Sequence, residues 1–192
     1  METVLVSLGA VAFAEIGDKT QLLAILLAAR FRAPLPIIFG IFVATAANHS
    51  LAALLGVAAG SWISSDVLSG ILALSFIGMA LWTLKPDSLE KEPRLFERWG
   101  PFGATVISFF LIEIGDKTQI ATMALAARFH DFLLVAIGTT LGMLVADVPA
   151  VYLGEIVARR IPLKWMRIVA AVIFLVLGVA AALDWGRRFL FA

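Results

Sequence analysis

The sequence predicts an all-α integral membrane protein of six transmembrane helices, arranged as two inverted repeats of three helices each. Three observations carry that prediction. Of the 192 residues, 61% are hydrophobic and only 15% are charged, whereas soluble domains run near half apolar and about a quarter charged. Six apolar stretches reach the roughly 20 residues that a helix needs to cross hydrocarbon. The two halves of the chain also repeat one another.

The first stretch, Thr3–Ala29, follows Met1 and Glu2 directly, with no basic leader region. It reads as a retained span and not a cleaved signal. The second and third are Pro34–Gly60 and Val67–Leu84. The segment Lys85–Gly100 is charged and carries Pro86 and Pro93, so it reads as a linker. The remaining spans are Pro101–Ala127, Phe132–Ala158 and Trp165–Leu183. The expected organisation is a first repeat over 1–84, a cytoplasmic linker over 85–100 and a second repeat over 101–192. Helices are required because every backbone group inside a bilayer must be satisfied within the span. A barrel would show alternating strands of about 10 residues, and none occur.

The repeat is visible without gaps. Glu15-Ile16-Gly17-Asp18-Lys19-Thr20-Gln21 recurs as Glu113-Ile114-Gly115-Asp116-Lys117-Thr118-Gln119, 98 positions later. The same shift matches Leu27–Phe31 with Leu125–Phe129, Gly40 with Gly138, and Leu55-Gly56 with Leu153-Gly154. A three-span unit in tandem inserts its second copy upside down. Inverted repeats around a midplane site are a signature of secondary transporters.

Basic residues set the expected orientation. Arg30, Arg32, Lys85, Lys91, Arg94, Arg98, Arg159, Arg160, Lys164 and Arg167 fall on one side; Arg128, Arg187 and Arg188 fall on the other. The first side should be cytoplasmic, with both termini outside. A net charge of +1 implies no nucleic acid, and the absence of Cys removes disulfides and thiolate metal sites. Trp62, Trp82, Trp99, Trp165 and Trp185 lie near span ends and read as interfacial anchors. Gly40 with Ala44, Gly56 with Gly60, and Gly138 with Gly142 read as sites of close helix packing.

The doubled heptapeptide carries the chemistry. Two carboxylates and a lysine per copy would cost about 15–20 kcal/mol in hydrocarbon for both copies together. Such groups must face each other, face water or hold an ion. On a regular helix Glu15 and Asp18 lie about 60° apart, on one face, and Glu113 and Asp116 do likewise. Crossing of the two helices brings four carboxylates together. Local unwinding at Gly17 and Gly115 would add backbone carbonyls and the side chains of Thr20, Gln21, Thr118 and Gln119. This hard-oxygen set suits Ca²⁺, Mn²⁺ or Mg²⁺. The lack of Cys and of paired His argues against Cu(I) or Zn²⁺ as preferred cargo.

With Lys19 and Lys117 at the site, the two motifs sum to −2, which one divalent cation neutralises. When the cation leaves, the carboxylates repel one another and take up protons, the elementary step of an exchanger. A purely structural reading makes each Glu–Lys pair an internal ion pair; two inverted copies favour function over that reading. The lysines are expected to pair with carboxylates or snorkel, since ammonium repels a cation. Asp147, mid-span and two residues before Pro149, is a further carboxylate signal; its repeat equivalent is His49, beside Asn48. A gate, a proton relay, a third ligand shell or simple interhelical bonding would each explain them.

Two copies of Glu-x-Gly-Asp-(Lys/Arg)-(Thr/Ser), one in the first span of each half of a small membrane protein, resemble the GDT-type Ca²⁺/Mn²⁺:cation antiporters. The resemblance covers the whole chain, and neither motif departs from the pattern. It implies export of Mn²⁺, or of Ca²⁺, in exchange for H⁺ or another cation, with no prosthetic group and no enzymatic activity. It implies that Glu15, Asp18, Glu113 and Asp116 form the transport site; Gln21 and Gln119 join them as further ligands by their own amide oxygens. Thr20, Thr118, Lys19, Lys117, Asn48 and Asp147 would then play supporting roles. The compact chain is similar to bacterial manganese exporters, which implies the inner membrane. A passive cation channel is one rival. A metal-dependent lipid-phosphate hydrolase is another, but Arg30 and Arg128 stand more than two turns from the acids, too far to cradle a phosphate.

Overall fold

The computed structural model describes residues 1–85, 97–153 and 163–190. Most of the charged linker, including Pro86, Lys91, Pro93 and Arg94, lies outside the described residues. So do Gly154, Glu155, Ala158, Arg159 and Arg160, and the side chains of Lys164 and Arg188.

Eight α-helices make up the described residues. They are α1 (Glu2–Glu15), α2 (Lys19–Phe31), α3 (Pro34–Trp62), α4 (Ser65–Thr83), α5 (Gly100–Glu113), α6 (Lys117–Phe129), α7 (Phe132–Leu153) and α8 (Leu163–Leu190). A 3₁₀ turn, Glu97–Trp99, precedes α5. By length and composition four helices can cross a membrane: α3, α4, α7 and, over Arg167–Arg187, α8; α5 is apolar but shorter.

The segments read as single first and fourth spans are instead pairs of helices. α1 and α5 have 14 residues each, α2 and α6 have 13. At 1.5 Å per residue a 14-residue helix is about 21 Å long, short of the hydrocarbon thickness. The cause of each break is local. Ile16 (φ −63°, ψ 113°) and Gly17 (φ 83°) follow the dihedrals of a type II turn, closed by the Asp18 N–H on the Glu15 carbonyl at 2.9 Å. Ile114 (φ −60°, ψ 118°) and Gly115 (φ 77°) repeat it, closed by Asp116 N–H on the Glu113 carbonyl at 3.0 Å. The second central position of this turn needs positive φ, so the motif carries glycine there.

The broken pairs pack against the long helices of the opposite half. α1 lies on α7 and α5 lies on α3, while α2 contacts α7 and α6 contacts α3. Small residues allow these approaches. A Cβ at Gly40 would sit 2.6 Å from Thr105 Cβ of α5, and one at Gly138 would sit 2.7 Å from the Val4 carbonyl of α1. Gly56 similarly abuts the Met123 carbonyl of α6, and Gly142 the Leu8 carbonyl of α1. α4 and α8 pair with each other. Two apolar clusters fill the interior. One joins Ala10, Leu72 and Phe76 to Leu125, Val135 and Phe174. The other joins Val11, Leu23 and Ile41 to Phe109, Met143 and Ala150. All five tryptophans are exposed, at or near helix ends.

Candidate cation site

Each half contributes the turn between two helices, and the turn explains its own residues. Asp18 and Asp116 occupy the N-cap positions of α2 and α6 in extended conformation, where aspartate is preferred. Three residues on, Gln21 reaches back so that its Oε1 accepts the Gly17 N–H at 3.0 Å. Gln119 Oε1 accepts the Gly115 N–H at 2.8 Å. This resembles the returning arm of a capping box. Gln21 also donates through Nε2 to the Ala146 carbonyl of α7 at 3.2 Å. That carbonyl lies next to the turn of α7 opened by Pro149, whose missing N–H leaves the Val145 carbonyl without its helical partner.

The turns meet inside the protein. Glu15, Glu113 and Asp116 each offer a carboxylate oxygen, and the three oxygens lie within 4.8 Å of one another. All three residues are buried. Lys117 Nζ donates to Asp18 Oδ1 at 2.7 Å, and Lys19 Nζ lies 2.8 Å from Asp116 Oδ1. The lysines therefore pair across the halves, each with the other motif's aspartate. The helical i,i+4 relation between Glu15 and Lys19 does not survive the break. The two pairs differ in exposure: the Lys19 side chain is 24% exposed, that of Lys117 only 4%.

With both aspartates matched by lysines, the glutamates carry the site's uncompensated charge. Thr20 donates its hydroxyl to Glu15 Oε2, and Thr118 faces Glu113 Oε2 at 3.5 Å. Glu15 Oε1, Glu113 Oε1 and Asp116 Oδ2 are buried with no hydrogen-bond partner among the described residues. A buried anionic oxygen left so is costly unless paired or metal-bound. The arrangement can accept a hard cation from three sides.

Of the supporting residues, Asn48 turns its amide to the Phe110 carbonyl of α5 at 3.1 Å. Asp147 is fully buried in α7, and neither of its oxygens has a hydrogen bond among the described residues. One neighbour escaped the sequence-derived ligand set. His49 Nε2 stands 3.8 Å from Glu113 Oε2, with both side chains wholly buried. The signal for it was the 98-residue shift, which pairs His49 with Asp147.

The chain matches the family model described as divalent cation/proton antiporter GDT1, at residues 3–91 and 101–188. The chain belongs to the GDT1 family. It is an integral membrane cation transporter and not an enzyme. A Vibrio cholerae protein provisionally named a manganese exporter is 52% identical over 183 residues, 95% of this chain and 91% of that one. A GDT1-like protein of Synechocystis is 36% identical over 93 residues, covering 48% of this chain and 45% of the relative. GDT1-like protein 3 of Arabidopsis thaliana is 38% identical over 90 residues, 46% of this chain and 30% of the relative. No solved structure matches the chain.

Proposed function

We propose that the protein exports a divalent cation from the cytoplasm, Mn²⁺ first and Ca²⁺ second, in exchange for H⁺ or another cation. The observation that carries this reading is the meeting of Glu15, Glu113 and Asp116 within 4.8 Å at the breaks of two apolar helix pairs. The Vibrio relative's name supports manganese. The family's description supports exchange against protons.

In this reading the pairs α1–α2 and α5–α6 each cross the bilayer as one broken span. Together with α3, α4, α7 and α8 they make six crossings, as two inverted repeats. The asymmetry of Lys and Arg supports a cytoplasmic linker and external termini, in a bacterial inner membrane. Broken helices at a midplane site match the architecture of secondary transporters. The crossed lysine–aspartate pairs hold the two turns together. Glu15 and Glu113 then supply a charge of −2, which a divalent cation neutralises. After its release two or more protons, or another cation, take its place.

The test uses purified protein in sealed liposomes under an imposed pH gradient, following Mn²⁺, Ca²⁺ and internal pH together. Gradient-driven Mn²⁺ movement with reciprocal proton flux is expected for the wild type, and its loss for Asp116→Asn and Glu113→Gln. Cation flux without proton movement would defeat proton coupling, and full transport by both variants would remove the acidic motifs from the mechanism.

A further inference from the structure

We infer that His49 is a nitrogen ligand of the transported ion and the residue that favours a first-row transition metal over Ca²⁺ and Mg²⁺. The inference rests on the reading of the acidic cluster as the cargo site.

His49 lies midway along α3, fully buried, with Nε2 3.8 Å from Glu113 Oε2. Glu113 belongs to the three-carboxylate group. Buried imidazoles ordinarily satisfy both nitrogens. Here the Thr139 backbone lies within hydrogen-bonding reach of the ring, and no other hydrogen-bond partner faces either ring nitrogen among the described residues. Adjacent ligands of one ion, with bonds of about 2.1 Å, lie about 3 Å apart. Closing the gap to Glu113 therefore needs a shift of less than about 1 Å, while His49 lies outside the group whose ligand atoms are mutually within 4.8 Å, so ligation also requires the acidic cluster to draw in around the ion. The ring sits against one candidate ligand, Glu113, with the Thr139 backbone as its other polar neighbour.

The repeat sharpens the argument. The position equivalent to His49 in the other half is Asp147, whose two oxygens are also buried without hydrogen bonds. One half-site thus holds an imidazole where the other holds a carboxylate. Ca²⁺ and Mg²⁺ take oxygen ligands. Imidazole binds transition ions, with affinity rising along the first-row series. An all-oxygen site built by strict symmetry would take Ca²⁺, Mg²⁺ and Mn²⁺ without setting the transition ion apart. Replacing one carboxylate by imidazole tilts the same shell toward Mn²⁺ and its neighbours.

Two measurements on the full chain test this. In liposomes, His49→Gln should lower the ratio of Mn²⁺ to Ca²⁺ transport by about tenfold or more, since even outer-shell partners of a metal are worth about 10–100-fold. His49→Asp should lower it as well, with Ca²⁺ transport retained. Pulsed electron paramagnetic resonance of bound Mn²⁺ should show nitrogen modulation from a ligated imidazole. The modulation should persist in His130→Gln, which alters the chain's other, exposed histidine, and vanish in His49→Gln. If the His49 variants do not fold, wild type and His130→Gln decide the matter by the presence or absence of the modulation. An unchanged transport ratio without nitrogen modulation in the wild type overturns the role of His49 and leaves Mn²⁺ export standing. A wild type that neither binds nor moves Mn²⁺ overturns both.

Discussion

Lys117 and Asp18 stand 99 positions apart and form a 2.7 Å ion pair inside the protein. Lys19 and Asp116 form its counterpart at 2.8 Å. Each helix break thus takes its counter-charge from the other copy. Each motif contains a lysine next to its own aspartate, yet the pairing runs across.

The two pairs should differ in energetic weight. Removing one partner of a buried pair costs about 3–5 kcal/mol, so Lys117→Met should destabilise by that order. Lys19 is 24% exposed, so Lys19→Met should cost less, about 1–3 kcal/mol, the remainder coming from the buried Asp116 left without its counter-charge. Adding Asp18→Asn to Lys117→Met should restore most of the loss. Unfolding in detergent measures all three, and equal losses for the two lysines would contradict the difference in burial.

Glu15 should show an opposition between stability and binding. Its Oε1 is buried without a partner, and a buried charge so placed is costly. Glu15→Gln is expected to raise the melting temperature of the cation-free protein, by an amount on the order of 1 kcal/mol in stability. The same change should abolish the rise in melting temperature that Mn²⁺ produces by binding the folded state. Thermal melts with and without Mn²⁺ read both effects; an undiminished Mn²⁺ shift would exclude Glu15 from the ligand shell.

At Gly115 a Cβ would meet nothing within 4 Å, so substitution there acts through φ, which is 77°. Asparagine tolerates the left-handed region and a β-branched residue does not. Transport rates should therefore fall in the order wild type, Gly115→Asn, Gly115→Val, with a conformational cost for valine of about 1–2 kcal/mol or more. Rates measured in liposomes at matched protein content test the ranking, which steric crowding alone would not produce.

Two other glycines separate packing from propensity. Gly56 abuts the Met123 carbonyl, and its added Cβ would also come within 2.9 Å of Ala126 Cβ. Gly56→Ala should destabilise by about 1–3 kcal/mol. Gly78 on α4 faces open space, and Gly78→Ala should be neutral or add about 0.5–1 kcal/mol through helix propensity. Unfolding of the two variants side by side should show a loss for Gly56→Ala and none for Gly78→Ala if the α3–α6 contact is as close as described.

The long continuous helices were legible because apolar runs of bilayer length leave the backbone few alternatives. The acids of the candidate site stood out because charge inside such runs demands an explanation and repetition pointed to both copies at once; the structure brings Glu15, Glu113 and Asp116 of these together. Helical periodicity misled at Lys19. It placed the amine one turn beyond Glu15, whereas the turn at Gly17 swings it toward Asp116. That turn depends on one left-handed residue, a short signal beside the apolar residues around it. Gln21 and Gln119 were read as ligands; their amide oxygens also close the turns on glycine N–H groups, a local role invisible to a count of oxygen donors. His49 was visible only as the repeat equivalent of Asp147, with a gate, a relay, a third ligand shell and interhelical bonding all open, because no second imidazole or thiol in the sequence pointed to a metal.

The placement of α1 on α7 and of α5 on α3 bears on how the molecule is assembled. Both apolar clusters draw residues from before and after the linker, so neither repeat owns a private interior. The two halves of the sequence repeat therefore share their interior. A newly inserted first repeat would have its glycine-lined grooves unfilled, and its Asp18 without the Lys117 pair, until the second arrives. The protein closes like two interlaced hands, and a nick in the linker would leave the grip intact.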